Sequence, residues 1–181
     1  MGSMNTVIFI ISGKGHTGKD TTANYIRDYA LTKGKKTLKL QFSSYIKMYV
    51  KNITNWDGSE ETKPRELLQD LGSTIRENIK NTFFIDRIID DIKIYSNYYD
   101  IITITDARLP EELDLIKETF PNSIKLNIQR PNYENNLSLK AKNHITEHAL
   151  DNYHNFDYVI INDGSLNDLK EKVEQILTNI I

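Results

Sequence analysis

The sequence predicts a three-layer α/β fold in which helices cover both faces of a five-stranded parallel sheet. Apolar, β-branched runs alternate along the chain with segments of helical period, as in strands joined by crossover helices. The first apolar run leads into a glycine-rich loop and then a helix, an order typical of phosphate-binding α/β proteins. The 181 residues contain no Gly/Pro/Ser-rich linker and no internal repeat, so we expect a single domain over residues 1–181.

Composition excludes several classes of protein. Hydrophobic residues make up 39% of the chain and no apolar run is long enough to span a bilayer, so we expect no membrane partner. The absence of cysteine excludes disulfides, thiolate metal sites and cysteine nucleophiles. The net charge of −2 argues against a nucleic-acid polymer as partner and favours a small anionic ligand. We interpret residues 1–3 as an expression remnant ahead of a native start at Met4.

Two strands and three helices are predicted before residue 100. Val7–Ile11 is a continuous apolar run, as in a buried parallel strand, and the helix after the glycine loop is expected to end at a Gly34 cap. Thr37–Phe42 alternates as a second strand. Residues 52–63 are polar and are expected to form a mobile substrate loop. The two helices that follow are predicted at Pro64–Lys80 and Phe83–Tyr95.

The second half continues the alternation of strands and helices. Residues 131–145 are polar and begin with a proline, so they are expected to form a mobile lid. Ser165 and Asp168 resemble a capping box at the start of the last helix, with Asp in place of Glu or Gln. The predicted strands are Ile101–Thr105, Ile124–Ile128 and Tyr158–Ile161, and a short helix is predicted from Pro110. Because ligands bind at the carboxyl ends of parallel strands, the residues after each strand are candidates for a site.

The segment after the first strand is a phosphate-binding loop with one unusual residue. The pattern G-x-x-x-x-G-K is usually followed by Ser or Thr, whose hydroxyl binds magnesium. Asp20 stands there instead, and we expect it to act through a magnesium-bound water. A glycine-rich turn that binds nothing is the alternative, and the strand, loop and helix order argues against it. The predicted phosphate-binding residues are Gly13, Lys14, Gly15, His16, Thr17, Gly18, Lys19, Asp20 and Thr21.

A row of polar residues runs along the helix predicted at Pro64–Lys80. Arg65, Gln69, Gly72 and Arg76 are separated by four, three and four residues, which places them on one helical face. Gly72 costs about 1 kcal/mol relative to Ala, which suggests a close approach by backbone or ligand. Aligned arginines suit bidentate recognition of phosphate, so we predict that this row binds a second, phosphate-bearing substrate. A solvated face with an incidental glycine is the alternative.

Charged residues also follow the third and fourth predicted strands. Asp106 can reach magnesium through water or cap the following turn, and we favour the magnesium role. Arg108 can neutralise a phosphate or pair with Glu111 or Glu112. Arg130 can contact a transferred phosphoryl group or form a surface ion pair. We predict catalytic roles for Lys19, Arg108 and Arg130, and a substrate-binding role for Arg108 as well.

Two further features are compatible with more than one role. His144 and His148 lie four residues apart beside Glu147, a spacing that can bind zinc, but no third ligand is evident and we do not favour a zinc site. Trp56, in the substrate loop, can stack on a base or anchor the loop through apolar contacts, and we favour the anchor.

Several segments together resemble a known family. They are Ser12–Thr21, Leu68–Gly72 with Arg76, Thr105–Glu112, Glu147–Tyr153 and Phe156–Gly164. In these segments the chain is similar to the phage-type deoxynucleoside monophosphate kinases and to the related animal-type phosphomevalonate kinases, and the resemblance covers most of the chain. It departs from the family pattern at Thr146, where the family commonly has Ser, and in the lid, which has no arginine.

The resemblance implies a P-loop nucleoside-monophosphate-kinase-like fold, with ATP in the loop as phosphoryl donor and a monophosphate docked opposite. It implies that Lys19 binds the β- and γ-phosphates and that Asp20 and Asp106 organise Mg²⁺. The residues implied around the acceptor and transferred phosphates are Arg76, Arg108 and Arg130, and those implied near the adenine of ATP are Asn162, Asp163 and Gly164.

The leading hypothesis is ATP-dependent phosphorylation of a deoxynucleoside or ribonucleoside monophosphate to the diphosphate. A phosphomevalonate-type kinase of another small phosphate is the nearest alternative. A regulatory NTPase without an acceptor is the alternative from another class, but the guanine-reading pattern Asn-Lys-x-Asp is missing and the arginines outside the loop suggest a second anionic substrate. We expect such an enzyme in the cytoplasm of a bacterium or phage-infected cell, and the sequence is compatible with a homodimer.

Overall fold

The sheet is parallel throughout in the computed structural model, which describes residues 6–131 and 145–181. In these residues the strands are β1 (Val7–Ser12), β2 (Thr37–Leu40), β3 (Ile101–Ala107), β4 (Ile124–Gln129) and β5 (Tyr158–Ile161). They lie in the order β2-β3-β1-β4-β5, and each strand pairs with its neighbours in parallel. The predicted five-stranded parallel sheet is therefore confirmed.

Helices cover both faces of this sheet. The described helices are α1 (Lys19–Thr32), α2 (Ser43–Ile53), α3 (Arg65–Asn78), α4 (Phe83–Tyr95), α5 (Pro110–Thr119), α6 (Ile145–His148) and α7 (Leu166–Leu177). None of these helices is both long enough and apolar enough to cross a membrane.

The central strand β1 supplies side chains to two separate hydrophobic cores. Ile8 and Ile10 pack with residues of α2 to α5 on one face, while Phe9 and Ile11 pack with α1 and α7 on the other. All four are at most 3% exposed. Because successive strand residues point to opposite faces, a strand covered on both sides needs a continuous apolar run rather than an alternating one.

The strand order creates a crevice beside the loop after β1. From β1 the chain passes to β2 and β3 on one side of the sheet and then crosses to β4 and β5 on the other. Connections that leave in opposite directions open a crevice at the carboxyl ends of the strands, where ligands bind in such folds. Gly13, Arg108 and Arg130 directly follow β1, β3 and β4, so all three lie at this edge.

The clearest difference between prediction and structure is α2. The bounds of α4 and β5 are the predicted ones, and Ser165 and Asp168 form the predicted capping box. We predicted no helix between β2 and residue 52, yet Ser43–Ile53 is helical, so the predicted substrate loop begins two residues later, at Thr54. The N-terminus of α2 is bound by a carboxylate from β3 and its apolar face is buried, and both contacts come from residues distant in sequence.

Candidate active site

The phosphate-binding loop has the backbone shape that its glycines allow. Gly13 and Gly18 have φ angles of 144° and 106°, which side chains rarely tolerate. A Cβ on Gly13 would lie 2.4 Å from the Ile128 carbonyl oxygen, so β4 passes too close for any side chain there. Gly18 is the N-cap of α1, and the loop therefore ends at the positive N-terminal end of that helix.

Lys19 is the most buried charged group of the loop. It is 8% exposed, and its Nζ donates hydrogen bonds to the carbonyl oxygens of Gly13 at 2.8 Å and Lys14 at 2.7 Å. Burial, with a smaller contribution from the positive charge of Arg108, lowers the pKa of Lys19 to about 8. The ammonium group is thus held inside the loop by backbone carbonyls, where an anionic phosphate would stabilise its charged form.

Asn162 braces the loop from the far side. Its backbone N–H donates to the Gln129 carbonyl at 2.7 Å, and its side-chain amide donates to the Thr17 carbonyl at 2.8 Å. The Thr17 hydroxyl in turn donates to the Lys14 carbonyl at 3.1 Å. Asn162, one of the three residues implied near the adenine, therefore contacts the phosphate-binding loop itself. The second of the three, Asp163, is exposed and forms an ion pair with Lys172 at 2.9 Å. Gly164 lies against the carboxylate of Asp168, which caps α7.

Asp20 forms an ion pair with a lysine of β2. Its Oδ1 lies 2.5 Å from Lys39 Nζ, and the Asp20 side chain is 68% exposed. Burial acts to raise the pKa of Asp20, but the hydrogen bond and charge of Lys39 outweigh it and hold that pKa below its usual range. Sequence analysis considered only magnesium as a partner of Asp20, and the structure adds Lys39.

Asp106 caps α2. Its two carboxylate oxygens accept hydrogen bonds from the backbone N–H groups of Phe42 and Ser43, both at 2.9 Å. The structural role we considered was a cap on the turn after β3, and the structure instead shows a cap on a helix that precedes it by more than sixty residues. Each oxygen keeps a further lone pair, so the cap leaves the predicted magnesium role open.

Arg108 pairs with a glutamate from α6 rather than with either neighbouring glutamate that we considered. Its guanidinium donates to Oε1 of Glu147, and the two side chains are 27% and 11% exposed. Oε2 of Glu147 accepts a long hydrogen bond of 3.4 Å from the Gly15 N–H. The Arg108 backbone N–H donates to Glu112 at 2.7 Å, so Glu112 contacts the main chain of Arg108 and not its charge.

A buried carboxylate brings one member of the polar row of α3 to this edge. Glu112 is 2% exposed and accepts from Arg76 Nη2 at 3.5 Å, while the Arg76 guanidinium lies 5.2 Å from the centre of the Phe84 ring. Burial raises the pKa of Glu112 to about 7. Glu112 thus contacts both Arg76 of α3 and the backbone of Arg108 at the end of β3.

The other residues of the predicted row on α3 are placed differently. Arg65 is exposed and pairs with Glu60 at 3.1 Å, in the loop between α2 and α3. Gln69 is half-buried. A Cβ on Gly72 would lie 3.2 Å from Ile46 Cδ1 and 3.4 Å from Arg76, so this glycine allows close packing of α3 against α2.

The remaining predicted residues lie around the periphery or outside the described residues. Arg130 is exposed at the end of β4. Most of the predicted lid and His144 fall within residues 132–144, outside the described residues, while His148 lies 3.0 Å from Asp151. The described residues hold no cluster of three or more side chains suited to a metal ion. Trp56 donates its indole N–H to the Ser59 carbonyl at 3.0 Å.

The pocket beside Trp56 is separate from the phosphate edge. It encloses about 380 Å³ and is lined by Thr54, Asn55, Trp56, Asp57, Thr62 and Pro64. All of these residues come from the segment between α2 and α3. The pocket contains neither the phosphate-binding loop nor a residue that follows a strand, so it is not part of the phosphate site.

A model of the deoxynucleotide monophosphate kinase family matches residues 28–173. The chain belongs to this family. The match begins inside α1, after the phosphate-binding loop, so the loop motif and the family match are independent observations. Membership makes the protein a nucleotide-binding phosphotransferase. Among curated protein sequences, none matches the chain.

Solved structures show the same P-loop kinase fold at low sequence identity. APS kinase CysC of Mycobacterium tuberculosis, solved with AMPPNP and APS, is 14% identical with a TM-score of 0.59, covering 96% of this chain and 98% of that chain. Shikimate kinase from Aquifex aeolicus is 13% identical with a TM-score of 0.53, covering 96% and 97%. A sugar kinase from Janibacter sp. is 13% identical with a TM-score of 0.57, covering 96% and 94%. At these identities the likeness concerns the fold alone.

Sequence analysis of this family member missed three residues of the site. Glu147 was quoted in the family resemblance without a role. The structure shows that it contacts Arg108, from which it is separated by 39 residues in sequence. Lys39 is an exposed residue of β2 between two half-buried leucines, and no sequence motif marks it as part of a site. Glu112 was considered only as a partner of Arg108, and its burial, which no local pattern indicates, is what brings Arg76 into the site.

Proposed function

We propose that this kinase transfers the γ-phosphoryl group of ATP to a deoxynucleoside or ribonucleoside monophosphate. The observation that supports this most directly is the grouping of cations from two sources. Lys19 belongs to the phosphate-binding loop, whereas Arg76 lies on α3 and Arg108 directly follows β3. Glu112 contacts the guanidinium of Arg76 and the backbone N–H of Arg108, and the positive charge of Arg108 acts on Lys19. One arginine beside the loop can serve nucleotide hydrolysis, whereas a kinase also needs cationic groups for its phosphorylated acceptor.

In this proposal the loop residues 13–21 bind the phosphates of ATP. Backbone N–H groups and the N-terminus of α1 face the phosphates, and Lys19 neutralises the β- and γ-phosphates. Arg76, Arg108 and Arg130 surround the acceptor phosphate and the transferred group. Arg65 and Gln69 are proposed contacts for more distant parts of the acceptor.

The carboxylates Asp20 and Asp106 fit a magnesium ion in their chemistry. Both offer hard oxygen donors, and magnesium commonly binds proteins through one or two carboxylates together with water and phosphate oxygens. In our proposal these two residues hold the ion through water, and the ion supplies charge neutralisation and alignment of the ATP phosphates. Asp20→Ala should then weaken magnesium dependence more than ATP affinity, and an unchanged magnesium titration would refute the water-bridged role.

The reaction needs no strong general base. An acceptor phosphate is already anionic near neutral pH, so its oxygen can attack the γ-phosphorus directly. The proposed residues therefore act by aligning the two substrates and by neutralising the charge of the transferred group, with the arginines hydrogen-bonded to its oxygens. Because the reaction needs only alignment and charge neutralisation, the chain needs no nucleophilic serine, cysteine or histidine.

A panel of acceptors tests the proposal. ADP release should be measured with ATP and each deoxy- and ribonucleoside monophosphate, and with phosphomevalonate as an acceptor that lacks a base. We expect ADP release with at least one nucleoside monophosphate and none with phosphomevalonate. Activity on phosphomevalonate alone would favour the alternative kinase. ATP hydrolysis unaffected by every acceptor would favour the regulatory NTPase.

A further inference from the structure

Glu147 contacts two phosphate-binding groups of the proposed site at once. One carboxylate oxygen accepts from the Arg108 guanidinium, and the other accepts from the Gly15 N–H at 3.4 Å. The Glu147 side chain is 11% exposed, so water screens these contacts little. Arginine side chains and loop amides both bind phosphate oxygens in such sites, so Glu147 engages donors that a phosphate would use.

The rest of its segment is also attached to the loop and to the sheet. Asp151, four residues after Glu147, forms an ion pair with Lys14 of the loop at 2.8 Å. Two residues later, the Tyr153 hydroxyl lies 2.7 Å from Lys125 Nζ, which is buried in β4. The segment is therefore held on the sheet at one end while its two acids contact adjacent residues of the phosphate-binding loop.

The charges of Glu147 and Arg108 both act on Lys19. The positive charge of Arg108 adds to burial in lowering the pKa of Lys19, and the negative charge of Glu147 opposes them. All three side chains therefore lie in one electrostatic environment. A change in the charge of Glu147 therefore changes the electrostatic potential at Lys19, which would hold the nucleotide phosphates.

We propose that Glu147 is a positioning residue that holds Arg108 at the phosphate-binding loop and competes with a nucleotide phosphate for the Gly15 amide. This inference rests on the proposed function, because it needs nucleotide phosphates in the loop. A phosphate oxygen and a carboxylate oxygen at the same N–H donor repel each other, so Oε2 of Glu147 gives up Gly15 while Oε1 keeps Arg108 aligned. The charge of Glu147 therefore opposes nucleotide binding, whereas its contact with Arg108 assists turnover.

The substitution Glu147→Gln separates these two effects because it keeps the size of the side chain and removes its charge. We expect the Kd for the ATP analogue AMPPNP, measured by calorimetry, to fall about three- to tenfold, and kcat to fall about tenfold. A residue with only a structural role would weaken binding and turnover together. Glu171→Gln is the matched control, since this residue on α7 accepts a hydrogen bond from Asn167 at 2.7 Å and contacts no residue of the proposed site among those described, and it should change neither quantity.

A second background tests whether Glu147 acts through Arg108. In an Arg108→Ala protein, adding Glu147→Gln should lower kcat less than twofold further and should still tighten AMPPNP binding. Losses in kcat that multiply fully would overturn the positioning role. Unchanged or weaker AMPPNP binding by Glu147→Gln, with the wild-type unfolding temperature retained, would overturn the competition.

Glu147→Asp covers the case in which the glutamine variant is less stable. It keeps the charge on a shorter side chain that withdraws from Gly15 and Arg108, so kcat should fall while AMPPNP binding tightens less than in Glu147→Gln. Tightening as large as that of Glu147→Gln would overturn the role of the charge. A wild-type protein that binds AMPPNP but phosphorylates no monophosphate would refute the proposed function and leave this binding comparison valid.

Discussion

The ATP side and the acceptor side of the proposed site are built in different ways. On the ATP side, the phosphate-binding loop joins β1 to α1, and its functional groups are backbone amides and Lys19, which is 8% exposed. On the acceptor side, α3 presents side chains, and Arg65 is 54% exposed and pairs with an exposed Glu60. One side is a backbone cradle, and the other is a set of long side chains whose partners decide where they lie.

This difference has a physical basis. A cradle of N–H groups needs only a particular backbone path, which glycines at two positions of one contiguous segment allow. An arginine site needs each guanidinium to be held by a partner, because a long side chain loses rotamer entropy when it is fixed. Of the two arginines in the row on α3, Arg76 has a buried partner and Arg65 has an exposed one. Positions on the same helical face are therefore not equivalent.

The largest effect is expected at the ATP side. Lys19→Ala should lower kcat/KM for ATP by about a thousandfold or more, because it removes the buried positive charge of the loop. Lys14→Ala, which removes an exposed lysine of the same loop, should cost less than tenfold. Steady-state kinetics with the best acceptor measure both variants. Similar losses in the two variants would mean that burial does not distinguish the two lysines.

The acceptor side is tested by the two arginines of α3. Arg76→Ala should raise KM for the acceptor about ten- to a hundredfold, since Arg76 is held at the phosphate edge by Glu112. Arg65→Ala should raise it less than threefold, because Arg65 is exposed and paired with Glu60. KM for ATP should change little in either. A larger effect of Arg65→Ala would reverse our ranking of these two positions.

The pH dependence of stability tests the buried partner of Arg76. The pKa of Glu112 is about 7 in the fold against 4.5 for its ordinary value, so the folded protein holds a proton that the unfolded chain releases between these pH values. The free energy of unfolding should therefore fall as pH rises from about 4.5 to 7, by roughly 2–3 kcal/mol. Urea unfolding at several pH values measures the free energy of unfolding, and Glu112→Gln should remove this pH-dependent part of it. The same slope in that variant would show that another group titrates.

The smallest effect is expected at the brace of the loop. Asn162→Ala removes the hydrogen bond to Thr17 and should raise KM for ATP about fivefold, with a similar change for GTP, because the brace acts on the phosphate loop rather than on the base. Asp163→Ala, which removes an exposed ion pair with Lys172, should change it less than twofold. If only ATP were affected, Asn162 would instead contact the adenine.

The sequence by itself determined the sheet and the backbone course of the glycine loop. The apolar run Val7–Ile11, the glycine loop and the capping box at Ser165 are local patterns, and local patterns report backbone conformation directly. The predicted bounds of α4 and β5 agree with the structure for the same reason. The family match over residues 28–173 confirms the predicted resemblance to the deoxynucleoside monophosphate kinases.

Only the tertiary structure decided which charged side chains meet. Asp106 caps α2, Glu112 holds Arg76, and Glu147 reaches both Arg108 and Gly15, and each contact joins residues more than thirty positions apart. Helical or strand periodicity tells which face a side chain occupies but not what covers that face, since the partner comes from another element. Charged groups with long side chains depend most on the partners that other elements supply, because burial and partners together set both the position and the pKa of such a group.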